Sequence, residues 1–210
     1  EVISGQGIIP EGFQHYILKY DDNSAYPFAK LEYVYYRMAL DAGIEMMPSE
    51  LRTYDGVTHF LTQRFDREGN EKIHTQTLAA MLPTSDSYED IFSVIRRLNL
   101  PYEDSRQHFL RMVFNVTTRN VDDHSKNFSF CMNKKGIWRL SPAYDLTYSV
   151  DLTAPAYSNR HSLTINGKNE DITREDLGTV GQNNDIQDYN ALIDTVYNAV
   201  AKFESHAREL

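Results

Sequence analysis

Asn120-Val121-Asp122-Asp123-His124-Ser125-Lys126-Asn127-Phe128-Ser129-Phe130, with Ser141-Pro142-Ala143-Tyr144-Asp145 a little further on, is the stretch on which the reading of this chain turns. It sets an Asp at 122, an Asn five positions later and a second Asp eighteen positions after that, each beside a short apolar run. Moving a phosphoryl group asks little covalent chemistry of a protein. Catalysis comes from holding hard cations against phosphate oxygens and aligning one hydroxyl. Magnesium prefers oxygen ligands and keeps several waters, so one carboxylate with one amide carbonyl suits it. Asp145 and Asn127 are that pair, and Asp122 is the candidate base or positioner of the acceptor hydroxyl. Phe128 to Cys131 alternates like a strand, and Ile137 to Leu140 follows the turn Asn133-Lys134-Lys135-Gly136. That hairpin is expected to carry Asp145 back beside Asn127.

Upstream, Phe13-Gln14-His15-Tyr16-Ile17-Leu18-Lys19 reads as a strand bounded by Gly12 and by Asp21-Asp22-Asn23. A Lys at a strand end is usually a solvated charge. Its functional reading is a phosphate-gripping lysine, supported by Glu32 near the start of the next helix, where an ion-pairing acid belongs. That helix spans Ala29 to Ala42, with Leu31, Val34, Tyr35, Met38 and Ala42 on one face and Gly43 as its stop. Asp55-Gly56 predicts a hairpin between strands over Ser49–Thr53 and Val57–Phe65. Beyond about residue 74 the pattern is mainly helical: Thr75–Met81, Tyr88–Leu98 and Tyr102–Thr118. The last carries Phe109, Met112, Val113 and Val116 at core spacing, with Pro101, Glu103 and Asp104 suited to its start. Thr173-Arg174-Glu175-Asp176 resembles a capping box, and Ile186–Leu210 reads as one long amphipathic helix.

The two segments quoted first resemble the catalytic and metal-binding segments of the HipA-like serine/threonine kinases, toxins of bacterial toxin-antitoxin operons. Tyr16-Ile17-Leu18-Lys19, Gln63-Arg64-Phe65-Asp66-Arg67 and His161-Ser162-Leu163-Thr164-Ile165-Asn166-Gly167-Lys168 fall in the family's order, so the resemblance spans roughly residues 13 to 180. It implies ATP and Mg2+ as cofactors and Lys19 as the nucleotide-binding lysine, with Glu32 as its partner. Gln63, Arg64 and Phe65 become the hinge against the adenine ring, His124, Ser125, Lys126 and Asn127 the nucleotide contacts, and Asp122 the catalytic residue. It further implies a protein substrate, among them aminoacyl-tRNA synthetases, and a helix-turn-helix, HipB-like antitoxin through which DNA is contacted only indirectly. The fold expected is α+β: a two-lobed protein-kinase-like fold, with a small β-rich N-lobe over residues 1–66 and a mainly helical C-lobe over residues 67–210.

Other readings stand beside these. Arg64, Asp66 and Arg67 also read as a solvated strand end. His124 with Asp122, Asp123 and Asp145 also reads as a transition-metal site of a phosphohydrolase. An inactive or nucleotide-binding module that holds a DNA-binding antitoxin is the alternative to an active kinase. The family's glycine-containing phosphate loop has no clear counterpart before Lys19, where Ser4-Gly5-Gln6-Gly7 lies too near. With a start at Glu1, a fragment lacking that loop and the regulatory autophosphorylated serine beside it is expected.

The chain's 210 residues, 41% of them apolar, are enough for a sizeable core. No stretch approaches the roughly eighteen apolar residues of a spanning helix, so no membrane contact and a cytoplasmic location are expected. Cys131 is the lone cysteine, which excludes an intramolecular disulfide framework. A formal charge of −9 argues against coating DNA directly. Asp151 to Arg160, with Pro155 and Ser158, is the candidate mobile loop.

Overall fold

The computed structural model describes residues 5, 8–21, 26–151, 153, 155 and 159–210. Most of Ser4–Gly7, Asp22 and Asn23 of the turn after Lys19, and much of the loop Asp151–Arg160 lie outside the described residues. Strand β1 (Tyr16–Lys19) begins three residues later than the apolar pattern suggests. Gly12, in the left-handed region at φ 82°, and the Phe13 N–H bond to the Pro10 carbonyl spend the preceding residues on a turn. Helix α1 (Phe28–Asp41) buries Val34, Tyr35 and Met38. Strands β2 (Ser49–Tyr54) and β3 (Val57–Gln63) form the expected hairpin. Asp55 and Gly56 both take positive φ, 50° and 80°, which a tight two-residue turn between right-twisted strands requires. The sheet order is β1-β3-β2, all antiparallel, with Lys19 opposite Phe60. Helix α1 packs on β2 and β3.

A two-residue hairpin, β4 (Arg67–Glu68) and β5 (Glu71–Lys72), leads to β6 (His74–Thr77) and the single turn α2 (Leu78–Met81). The helix expected over Thr75–Met81 is therefore half strand. Thr75 and Thr77 sit opposite Cys131 and Ser129, and the Thr77 hydroxyl then accepts from Ala80 N at 3.3 Å to start the turn. Helices α3 (Tyr88–Arg97) and α4 (Tyr102–Thr118) follow. A 3-10 turn (Ser125–Asn127) then precedes β7 (Ser129–Met132) and β8 (Trp138–Leu140), and the second sheet has the order β6-β7-β8. Helix α4 is the centre of the core: Phe109, Leu110, Met112, Val113 and Phe114 are all fully buried. Asp104, read from sequence as a dipole partner, is itself buried and accepts from Arg139 Nε and Nη2 at 2.9 to 3.0 Å, tying α4 to β8.

Helix α5 (Arg174–Asn183) opens with a true capping box, in which Thr173 Oγ1 accepts from Asp176 N and the Asp176 carboxylate accepts from Thr173 N. The long helix expected over 186–210 is broken into α6 (Tyr189–Val200) and α7 (Phe203–Arg208). Ala201 and Lys202 redirect the chain so that α7 lies on α1, where Lys202 Nζ and His206 Nε2 both meet Asp41 Oδ2, at 2.9 and 3.0 Å. Arg37 on α1 pairs with Glu209 at the end of α7. Among the described residues no helix is long and apolar enough to cross a membrane.

Candidate functional site

Strand β1 ends so that Lys19 reaches across to two acids. Its Nζ lies 2.6 Å from Glu32 Oε1 on α1 and also bonds Asp145 Oδ1, from the segment that follows β8. Glu32 is mostly buried, and that burial raises its carboxyl above the ordinary value against the pull of Lys19. Burial alone would lower Lys19, but the charges of Glu32 and Asp145 outweigh it and raise the amine. Asp145 sits at φ 54°, a left-handed conformation that Asp tolerates better than most residues.

This triad lines a cleft of about 320 Å³ whose walls also hold Gln63, Arg64 and Phe65. Of the residues singled out from sequence, the cleft brings these three together with Lys19, Glu32 and Asp145. Phe65 stacks on Tyr144, with centroids 5.5 Å apart and planes 26° apart. Arg64 makes a two-pronged pair with Asp66, Nε to Oδ1 at 2.7 Å and Nη2 to Oδ2 at 2.6 Å, so its charge is spent locally. The N–H groups of Gln63 and Arg64 donate to Pro48 O and His15 O, both at 2.9 Å. Those two donors are therefore already engaged within the chain. Sequence reasoning missed Met46, Met47, Thr75 and Tyr144 as lining residues. Tyr144 stood in the quoted motif, but nothing local tells that its ring faces Phe65.

Asp122, His124, Ser125, Lys126 and Asn127 do not line the cleft. They form the loop between α4 and β7, whose shape is set by backbone bonds and by Tyr144. Asn127 N donates to His124 O at 2.8 Å, and the Tyr144 hydroxyl donates to Lys126 O at 2.7 Å. Asn127 Nδ2 donates to Asp122 O at 2.8 Å, which leaves the amide oxygen as the ligand atom a hard cation takes. The side chain of Asp122 is 68% exposed, with His124 Nε2 3.8 Å from its Oδ1. Asp123 turns the other way. Completely buried, it accepts from the Tyr88 hydroxyl, from His161 Nδ1 and from Ser162 N, each at 2.7 Å. Its carboxylate is thus unavailable to a metal shared with His124, and among the described residues no three His, Cys, Asp or Glu side chains converge as metal ligands.

Comparison with known proteins gives the family and the fold of the chain. The family model of the HipA-like C-terminal domain matches residues 3–204. The protein named "Putative kinase Y4mE" of Sinorhizobium fredii (strain NBRC 101917 / NGR234) is 28% identical over 130 residues, 54% of this chain and 31% of that relative. The HipA chain solved with HipB and operator DNA from Shewanella oneidensis MR-1 superposes with a TM-score of 0.71 at 18% identity, covering 92% of this chain and 51% of that one. The proinflammatory kinase CtkA of Helicobacter pylori superposes with a TM-score of 0.58 at 11% identity, covering 92% and 87%. This chain thus spans about half the length of the matched HipA chain and under a third of Y4mE. At such identities the structural likeness is one of fold, and the α+β architecture is protein-kinase-like. A family match over nearly every residue, from 3 to 204, means that the chain belongs to the HipA-like C-terminal domain family.

Proposed function

We propose that this chain is the nucleotide-binding and catalytic part of an ATP-dependent serine/threonine protein kinase. The observation that carries the reading is Lys19 held between Glu32 and Asp145 in the wall of a cleft that Gln63, Arg64 and Phe65 also line. The division into an N-lobe over 1–66 and a C-lobe over 67–210 belongs to the same reading. Asn127 and Asp145 are the residues that would hold Mg2+, and their oxygen donors fit it; when bound, the ion neutralises charge on the phosphate oxygens. Lys19 is an ammonium with three donors, held by Glu32 at the place where phosphates are to be gripped. Asp122 is the exposed carboxylate that orients the acceptor hydroxyl and takes its proton. His124, Ser125 and Lys126 complete the nucleotide contacts from the loop side.

The relative solved with HipB and operator DNA supports a toxin role, with a HipB-like antitoxin as the partner and DNA reached through it. The same relative supports the second reading, a nucleotide-binding or inactive module that holds the antitoxin. The substrate proposed is a protein such as an aminoacyl-tRNA synthetase, and the location cytoplasmic. Transfer of labelled phosphate from ATP, measured for wild type and Asp122→Asn in the whole protein, separates the two. The kinase predicts transfer lost by at least about a hundredfold in the variant. Equal transfer in both removes Asp122 from the mechanism, and none in either favours the binding module. Stabilisation by ATP is expected to depend on Mg2+ in wild type and to lose that dependence in Asp145→Ala.

A further inference from the structure

Asn120 lies two residues before Asp122, is 2% exposed, and is used by nothing in the chemistry above. Its amide bonds three partners on two segments, α4 and the stretch after β8. Nδ2 donates to Asn115 Oδ1 at 3.0 Å and to the Asp145 carbonyl at 3.2 Å, and Oδ1 accepts from the Ser149 hydroxyl at 3.2 Å. Ser149 Oγ in turn accepts from the backbone N–H of Asp122 at 2.9 Å. A side chain and one hydroxyl therefore span from the backbone of Asp122 to the backbone of Asp145.

The far side of the bridge is anchored in the core. Asn115 Nδ2 donates to the Tyr88 hydroxyl at 2.9 Å, and that hydroxyl donates to Asp123. Asp123 also holds Ser162 N, while Ser162 Oγ donates to Val121 O at 3.1 Å. Tyr88 and Asn115 come from α3 and α4, which are packed on one another, so the network is mounted on rigid elements. A buried network in which each member is satisfied resists rearrangement, because any shift leaves a desolvated polar group without a partner.

We propose that Asn120, working through Ser149, is a positioning residue that sets the spacing between Asp122 and Asp145. This deepens the kinase reading of that site and rests on it. The grip on the Asp145 carbonyl also holds a residue whose backbone is left-handed, and so fixes the direction in which its carboxylate leaves the chain. Neither side chain of the bridge needs to touch substrate. Its effect is geometric, and misplacement of a catalytic group by about 1 Å costs on the order of a hundredfold in rate.

The test uses Ser149→Ala, which cuts the arm to Asp122, Ser149→Thr, which keeps a hydroxyl there, and Asn120→Asp, which keeps the acceptor but loses both donors. Four quantities are read in the whole protein: kcat, the dissociation constant of a fluorescent ATP analogue, the melting temperature, and hydrogen exchange of the Asp122 amide. The bridge predicts that Ser149→Ala lowers kcat about ten- to a hundredfold with nucleotide affinity within about threefold, and that Ser149→Thr restores most of it. Asn120→Asp is expected to lower kcat at least as far. The Asp122 amide is expected to exchange faster in Ser149→Ala and to regain protection in Ser149→Thr. Unchanged kcat in both Ser149→Ala and Asn120→Asp overturns the proposal. So does a parallel fall in kcat, nucleotide affinity and melting temperature that threonine does not rescue, since that marks a merely structural role. Should wild type transfer no phosphate, the kinase reading fails separately, and unchanged exchange at Asp122 in Ser149→Ala then overturns the bridge.

Discussion

At the scale of single residues, the Lys19–Glu32–Asp145 contact is a balance between burial and charge. Burial raises the carboxyl of Glu32 above its ordinary value, and the ammonium of Lys19 beside it pulls in the opposite direction. Lys19→Ala removes the cation and leaves two acids sharing a site. A carboxyl whose folded pKa lies above its unfolded value costs stability only where it is ionised, so the cost grows as pH rises through that folded pKa. Lys19 in wild type has a raised pKa, and its contribution is present throughout the range below the unfolded lysine value. The deficit in melting temperature of Lys19→Ala against wild type is therefore expected to be larger near about pH 8 than near about pH 5. Melts of both proteins at the two pH values check this. A deficit independent of pH would mean that Lys19 contributes packing of its stem and no compensation of Glu32. Because Lys19 and Asp145 are both more than a third exposed, solvent screens part of the effect and a shift of a few degrees is expected.

Among the secondary elements, α5 shows how a helix can depend on a missing side chain. Glycine inside a helix normally costs about 1 kcal/mol relative to alanine, so Gly→Ala is a routine way to stabilise one. At Gly181 the sign reverses: a Cβ built there meets Tyr189 Cβ at 2.8 Å and the Phe109 ring at 3.0 and 3.1 Å. Phe109 is fully buried on the central helix and has no room to move. Gly181→Ala is expected to destabilise by about 1–3 kcal/mol. Gly178→Ala, whose nearest contact is the Tyr189 ring edge at 3.3 Å, is expected to be close to neutral. Urea midpoints of the two variants decide it, and equal midpoints would show that Tyr189 yields. Elements that carry their own stops are legible in the sequence. The Asp55-Gly56 hairpin, α1 ending before Gly43, and the Thr173 capping box each lie where local signals put them. What depends on a remote partner is not. Thr75 to Thr77 becomes strand because β7 pairs with it, and the C-terminal helix breaks because Asp41 and Arg37 of α1 draw Lys202, His206 and Glu209 onto them. The cleft divides the same way: Lys19, Glu32 and Asp145 are singled out by spacing and meet there, whereas the ring of Tyr144 takes its place from Phe65, which sequence does not set beside it.

Across the whole molecule, the packing beneath the loop that joins α4 to β7 contains a histidine that cannot be charged without cost. His108 on α4 is fully buried against Tyr88, Phe92 and Phe128, with ring centroids 5.6, 4.4 and 5.8 Å away. Its Nε2 lies 2.9 Å from the Tyr88 carbonyl, which fixes the proton on that nitrogen. Burial lowers its pKa from 6.5 to about 3, with Arg111 adding repulsion. The unfolded chain therefore binds a proton near pH 6.5 that the folded chain refuses until about pH 3. Stability is full above the unfolded value and is lost as pH falls through this window, with a slope approaching about 1.4 kcal/mol per pH unit. Asp41, Asp66 and Asp176 are depressed by their partners and push in the same direction, but only at and below the ordinary carboxyl value of 3.8. Between about pH 6 and about pH 4.5 the histidine term stands alone among these four groups. His108→Phe keeps an aromatic ring among Tyr88, Phe92 and Phe128 and gives up the bond to Tyr88 O, so it is expected to be less stable at neutral pH. It is also expected to lose stability less steeply on acidification, so that the two curves converge. Urea midpoints taken at steps through that range test the claim, and parallel curves for the two proteins would place the acid sensitivity somewhere other than His108.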